Sequence, residues 1–246
     1  MKKKIGIIAP FVLLTISFLV SVLFISKNYY VLMNGDTAAE MLYGRLLADE
    51  SGAMSHNWFY STELRTLGVQ YFYKLGFMLF GNNYYAVRLF ADIIMLVVLA
   101  ASYIFMMSSM GLKKIGIWTA WVIILPFSPV YAYFIIYAEF YSMYSTFCYL
   151  LLGNIFLVFR SKDEKIKVAL EICLLAVISF VSGLSGVRMA MICLGPALCA
   201  TLINLYLWFR KNDSFEILEK MKNDLKPEVP SFYTKDYVGT GTSISS

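Results

Sequence analysis

The sequence predicts an all-α, polytopic membrane protein with about six transmembrane helices and amphipathic interfacial helices in the first outer loop. Three observations carry this. Of the 246 residues, 59% are hydrophobic and only 15% charged, against an apolar share of about 45–50% in soluble domains. Six runs reach the roughly 20 helical residues that cross about 30 Å of hydrocarbon: Ile5–Ile25, Tyr85–Met110, Ile115–Phe134, Tyr141–Phe159, Val168–Leu184 and Met189–Phe209. Basic residues then recur at alternate span ends, at Lys113 and Lys114, at Arg160, Lys162, Lys165 and Lys167, and at Arg210 and Lys211. The positive-inside bias assigns those ends, and both termini, to the cytoplasm, in a multi-pass protein of the cell membrane.

The first run follows Lys2, Lys3 and Lys4 and is longer than the apolar core of a cleaved signal peptide, so it reads as an uncleaved anchor. The spans make one module, 1–211, whose long outer loop is 26–84. Two tight outer turns lie near Tyr137–Glu139 and Ser182–Arg188. The tail 212–246 begins as an amphipathic segment, with Phe215, Leu218, Met221 and Leu225 at helical spacing. It ends in a Pro/Gly/Thr/Ser stretch that reads as disordered. Cys148, Cys173, Cys193 and Cys199 fall within apolar runs without CxxC spacing and read as packing residues. The net charge of +5 reflects the basic clusters, which anionic lipid headgroups explain without a nucleic-acid partner.

Within the outer loop, Thr37-Ala-Ala-Glu40 fits a capping box, in which Thr and Glu satisfy amides at a helix start. A helix is expected from about Thr37, with Ala38, Met41, Leu42 and Leu46 on its apolar face and Glu40, Arg45 and Asp49 towards water, ending at Ser51-Gly52. After SHNWFYST, the residues Leu64, Leu67, Gly68, Tyr71, Phe72, Leu75 and Leu79 predict a second amphipathic helix ending at Gly81-Asn82-Asn83. Were it a span, every later segment would reverse and the basic clusters would face outward, against the charge bias. Gln70 and Lys74 on it also favour a position flat at the interface.

Ionisable residues at or within a membrane are functional candidates by default. Asp36 and Glu139 are the candidate catalytic acids. Asp36 is left over by the capping box that employs Glu40, although it could itself be the cap; Glu139 stands among tyrosines in YAEFYSMYS, where an aromatic belt is expected and an acid is not. Arg188, in SGLSGVRMAM, either snorkels to headgroups or binds phosphate. Arg88 shares that phosphate role or pairs with Asp92 at i, i+4. Glu40 and His56 complete the candidate binding set. His56 is the sole histidine, and among polar neighbours it reads more simply as a surface residue than as a metal ligand.

The order of these features resembles the GT-C superfamily of glycosyltransferases, in the branch of protein O-mannosyltransferases and bacterial aminoarabinose transferases of lipid A. The likeness runs from about residue 5 to residue 190. It comprises the anchor, the acid in NGDTAAEMLYGRLLADESG, the Trp-bearing HNWFYS, then LGVQYFYKLGFMLFGNNYYAVRLFADIIM, and LPFSPVYAYFIIYAEFYSMYSTFCYLLLG with its serine-proline break and second-loop acid. The Pro-Pro pair often found before the second loop helix is replaced here by Arg65-Thr66-Leu67. Family enzymes usually carry more spans and often an outer soluble domain, so the resemblance covers a minimal or truncated N-terminal module.

The resemblance implies transfer of a sugar from a polyprenyl-phosphate carrier to an acceptor on the outer face, with membrane lipid and a partner subunit as further candidate partners. Direct displacement needs a carboxylate to take the acceptor proton, the role of Asp36. The leaving phosphate needs an arginine or a divalent cation, with Arg188 and Arg88 as the arginines and Glu139 placing acceptor or metal. Two rival readings stand beside it. A rhomboid-type serine protease matches Gly183-Leu184-Ser185-Gly186, but Met189–Phe209 has no histidine base. A non-catalytic membrane partner or transport subunit explains six spans but not the outer concentration of acids and arginines.

Overall fold

The structure, a computed structural model, describes residues 2–31, 33–60, 68–137, 139–160 and 165–186, with scattered positions from 188 to 210. Among these residues the regular elements are all helical: α1 (Lys2–Lys27), α2 (Gly35–Glu50), α3 (Gln70–Phe80), α4 (Tyr84–Ser109), α5 (Lys113–Ile124), α6 (Pro129–Tyr131), a π-helical segment (Ala132–Tyr137), α7 (Glu139–Arg160) and α8 (Lys165–Leu184). Among the described residues three stretches, Ile8–Lys27, Tyr84–Ser109 and Tyr141–Val158, are long and apolar enough to cross a membrane.

The surface has the polarity of a lipid-facing bundle. On α1, Ile8, Phe11, Ile16, Leu19 and Leu23 point outward, whereas Ser17 and Ser21 are buried. A soluble amphipathic helix does the reverse. The small serines let α1 approach α5, and Ser21 Oγ donates to the Ile124 carbonyl, the kind of small-residue contact that joins helices in lipid. Cys173 of α8, expected to pack internally, is instead exposed beside exposed Ile172 and Leu174.

Helices α4 and α7 form the centre of the bundle. Gly153 permits their contact: a Cβ there would stand 2.6 Å from Phe105 Cε1 and 3.2 Å from Met106 Cα. Nearer the middle, Tyr103 meets Tyr149 edge to face at 5.4 Å.

The expected third span, Ile115–Phe134, is not one helix. Its α5 part has 12 residues, about 18 Å at 1.5 Å per residue. Leu125 turns extended (φ −81°, ψ 128°) because it precedes Pro126, whose ring disfavours the helical conformation behind it. The chain restarts at Pro129, with Ser128 Oγ accepting from the Tyr131 amide at 3.1 Å, and continues as the π-helical segment.

Between α1 and α4, α2 packs on α3 through Gly44, where a Cβ would meet Tyr73 Cβ at 2.4 Å and the Gln70 carbonyl at 2.8 Å. This close approach turns α2 relative to the sequence expectation. Its buried face is Thr37, Glu40, Met41, Tyr43, Gly44 and Leu47, while Leu42 is exposed. Helix α3 buries Gln70, Tyr73, Gly76 and Phe77 and exposes Leu75, Met78, Leu79 and Phe80. It ends at Gly81, whose positive φ of 56° suits a residue without Cβ.

The chain divides into two compact units, Met1–Leu198 and Cys199–Ser246. In the second, the described positions 199, 201–203, 206 and 210 are helical. Most of the expected sixth span and all of the tail 212–246 lie outside the described residues, as does the 61–67 part of the second loop helix.

Candidate functional site

Asn34, not Thr37, caps α2. Its backbone is extended (φ −105°, ψ 172°), and its Oδ1 accepts from the Thr37 amide at 2.8 Å and the Thr37 hydroxyl at 2.9 Å. The expected capping box is therefore corrected. Asn is at least as good a cap as Thr, and once it takes that place Glu40 lies a turn too far along to reach the first amides. Glu40 is instead 4% exposed, on the face turned into the protein rather than towards water. Asp36 stands exposed in the first turn of α2, where the positive end of the helix dipole favours a carboxylate.

The cap also reaches across the molecule. Asn34 Nδ2 donates to the Tyr133 hydroxyl at 3.4 Å, and Tyr133 lies in the π-helical segment just before α7. Glu139 is the first residue of α7. The helix start carrying Asp36 and the segment leading to Glu139 are thus joined by a side-chain contact, which nothing in local sequence spacing announces.

Arg88 lies inside the protein. It is 0% exposed, donates from Nη1 to the Tyr29 carbonyl at 2.8 Å, and sits over the Tyr29 ring at 5.1 Å. The pairing expected from its spacing is present, with Arg88 Nε 3.8 Å from Asp92 Oδ2.

The segment 51–60 folds back over α2 and α3. Trp58 stacks on Tyr43, with centroids 4.9 Å apart and planes at 28°. Tyr43 and Tyr60 share a hydroxyl hydrogen bond of 2.7 Å, and Tyr60 Oη donates to the Ser55 carbonyl at 3.1 Å. Tyr71 Oη and Lys74 Nζ donate to the Ala53 and Gly52 carbonyls at 2.8 and 2.7 Å. Burial, and then the hydrogen bond with Tyr60, push the Tyr43 phenol above its usual range. His56 is exposed. Hydrogen bonds from Ser55 and Asn57, with His56 nearby, hold the Glu50 carboxyl below the usual range. The sequence reading noted the Trp-bearing stretch but missed this cluster; the tyrosines at 43, 60 and 71 were its available signal.

Arg188 is exposed, beyond the end of α8. Ser185, the nucleophile of the protease reading, is buried and donates from Oγ to the Val181 carbonyl at 2.8 Å, as a serine closing a helix does. Among the described residues, no group of three or more His, Cys, Asp or Glu is placed to hold a metal ion. No protein-family model matches the chain, and no curated protein and no solved structure matches it either.

Proposed function

We propose that the chain is a GT-C-type membrane glycosyltransferase module. It would move a sugar from a polyprenyl-phosphate carrier to an acceptor at the outer face, with six spans and both termini in the cytoplasm. The observation that carries this reading is the Asn34–Tyr133 hydrogen bond. It ties the exposed acid of the first outer loop to the segment leading into the second-loop acid, and direct displacement needs the base and the group that places the acceptor close together.

In this reading Asp36 takes the acceptor proton, Arg188 binds the leaving phosphate, and Glu139 places the acceptor or a divalent cation. The exposed apolar face of α3 lies in the outer headgroup region. A groove of about 350 Å³ between α1, α4 and α5, lined by Leu14, Phe18, Leu96, Ala100, Ile104 and Ile124 among others, suits a hydrocarbon chain from the bilayer and supports a lipid-linked substrate.

Native mass spectrometry of the full chain with polyprenyl phosphate and with the uncharged polyprenol tests the reading. Retention of the phosphate form, weakened in Arg188→Ala, is the expected result. Equal retention of both lipids would favour a non-catalytic membrane subunit.

A further inference from the structure

A guanidinium inside a membrane protein is costly unless its charge and donors are met, and Arg88 is met in an informative way. Its hydrogen bond goes to the main chain of Tyr29, just past the end of α1, and its Nη1 also lies 3.9 Å from Met33 Sδ. Around it, the Tyr29 ring packs on Tyr85 at 5.0 Å, and Ser26 is hydrogen-bonded to the Tyr85 hydroxyl. The Tyr29 and Met33 contacts fasten the connection between α1 and α2 to the first turns of α4, and the Ser26 contact fastens the last turn of α1 to the same place. That connection ends at Asn34, the cap that begins the helix bearing Asp36.

Asp92 has a different part. It is 1% exposed, and among the described residues neither of its carboxylate oxygens accepts a hydrogen bond. Its contact with Arg88 is the 3.8 Å approach of Arg88 Nε to Asp92 Oδ2.

We propose that Arg88 is a positioning residue, whose guanidinium straps the α1–α2 connection to α4 and so fixes where Asp36 stands. This departs from the phosphate role suggested by sequence, because the guanidinium is wholly covered and its Nη1 is engaged by the Tyr29 carbonyl. The catalytic part of the inference rests on the glycosyltransferase reading; the strap does not.

Three measurements on the full chain in lipid nanodiscs test it. In the unaltered protein, nitrogen-15 NMR of the arginine side chains is expected to show slowly exchanging guanidinium protons for Arg88. Rapid exchange would overturn the strap, whatever any variant does. In Arg88→Lys and Arg88→Gln, the Asn28 amide, which donates to the Phe24 carbonyl at 3.1 Å, is expected to exchange about tenfold faster or more, the worth of a hydrogen bond to a charged group, while the amides of α4 beyond Ala91 keep their protection. Unchanged exchange at Asn28 in a folded variant would also overturn it.

In a transfer assay, Arg88→Lys, which keeps charge but loses the planar fork, is expected to lower kcat with little change in KM for the carrier. A raised KM with unaltered exchange at Asn28 would make Arg88 a phosphate ligand and overturn the positioning role. The first two readouts need no activity, so a failure of the glycosyltransferase reading and a failure of the strap are told apart.

Discussion

Asn34 and Tyr133, ninety-nine positions apart, meet through a side-chain hydrogen bond of 3.4 Å between the start of α2 and the π-helical segment before α7. The same Asn34 side chain accepts the Thr37 amide through its oxygen. One residue therefore sets both the beginning of the Asp36 helix and its attachment to the π-helical segment before α7.

The two roles separate by substitution. Asn34→Ala removes cap and link, and is expected to raise hydrogen exchange at the Thr37 amide about fivefold or more, since a lost cap costs about 1 kcal/mol. Asn34→Asp keeps the accepting oxygen but not the Nδ2 donor, so exchange at Thr37 stays near the original rate. Equal acceleration in both would show that the cap oxygen is not what protects Thr37.

Helix contacts at glycines are open to a direct stability test. A side chain at Gly44 collides with Tyr73 and the Gln70 carbonyl, and one at Gly153 with Phe105 and Met106, whereas a Cβ at Gly183 meets nothing within 4 Å. Gly44→Val and Gly153→Val are expected to cost about 1–3 kcal/mol or more, as overpacking does, and to lower the thermal midpoint in detergent. Gly183→Ala is expected to leave it unchanged or higher. The reverse ranking would contradict the packing described.

Alkaline pH acts on the aromatic cluster. The Tyr43 phenol is raised by burial and by its bond to Tyr60, so the neutral form is favoured in the folded state. Its stabilisation is complete below the ordinary phenol value of about 10 and is lost as pH climbs through the higher folded value. Fluorescence of Trp58, stacked on Tyr43, is expected to change only above pH about 10. A transition several units lower would mean that another group controls the cluster. Tyr43→Phe removes this phenol and should blunt the transition.

Topology is read by thiol labelling in sealed vesicles or whole cells. With the native cysteines replaced, Ala53→Cys, at an exposed position between α2 and α3, is expected to react with an impermeant reagent from outside, and Lys113→Cys only after the membrane is opened. External labelling of Lys113→Cys would invert the proposed orientation.

Much of the fold was legible because its signals are periodic or compositional. The apolar runs became α1, α4, α7 and α8, and the Ser51 and Gly81 ends fell where small or turn-prone residues stand. The face of α2 was misread because Leu42 and Leu46 looked like core residues, while the contact is made by Gly44, whose lack of a side chain decides which face approaches α3. The third span was read through its prolines, whose backbone restriction outweighs hydropathy at Leu125.

The candidate site was less legible. A cap is chosen among Asn34, Asp36 and Thr37 by geometry that spacing leaves open, and Arg88 gave the same sequence signature for an ion pair, a phosphate ligand or a strap. Asn34 and Tyr133 meet through tertiary structure alone.

The most direct test concerns Asp36. The full chain is assayed in native membranes with a polyprenyl-phosphate-linked sugar, comparing Asp36→Asn with the unaltered protein at matched expression and with the exchange pattern of α2 intact. Because Asn34 supplies the cap, Asp36→Asn should keep the helix and remove only the proton acceptor. Sugar transfer is expected to fall by about 10²–10⁴-fold, the usual worth of general base catalysis, with carrier binding retained. Transfer by Asp36→Asn at the rate of the unaltered protein would contradict the assignment of Asp36 as the base.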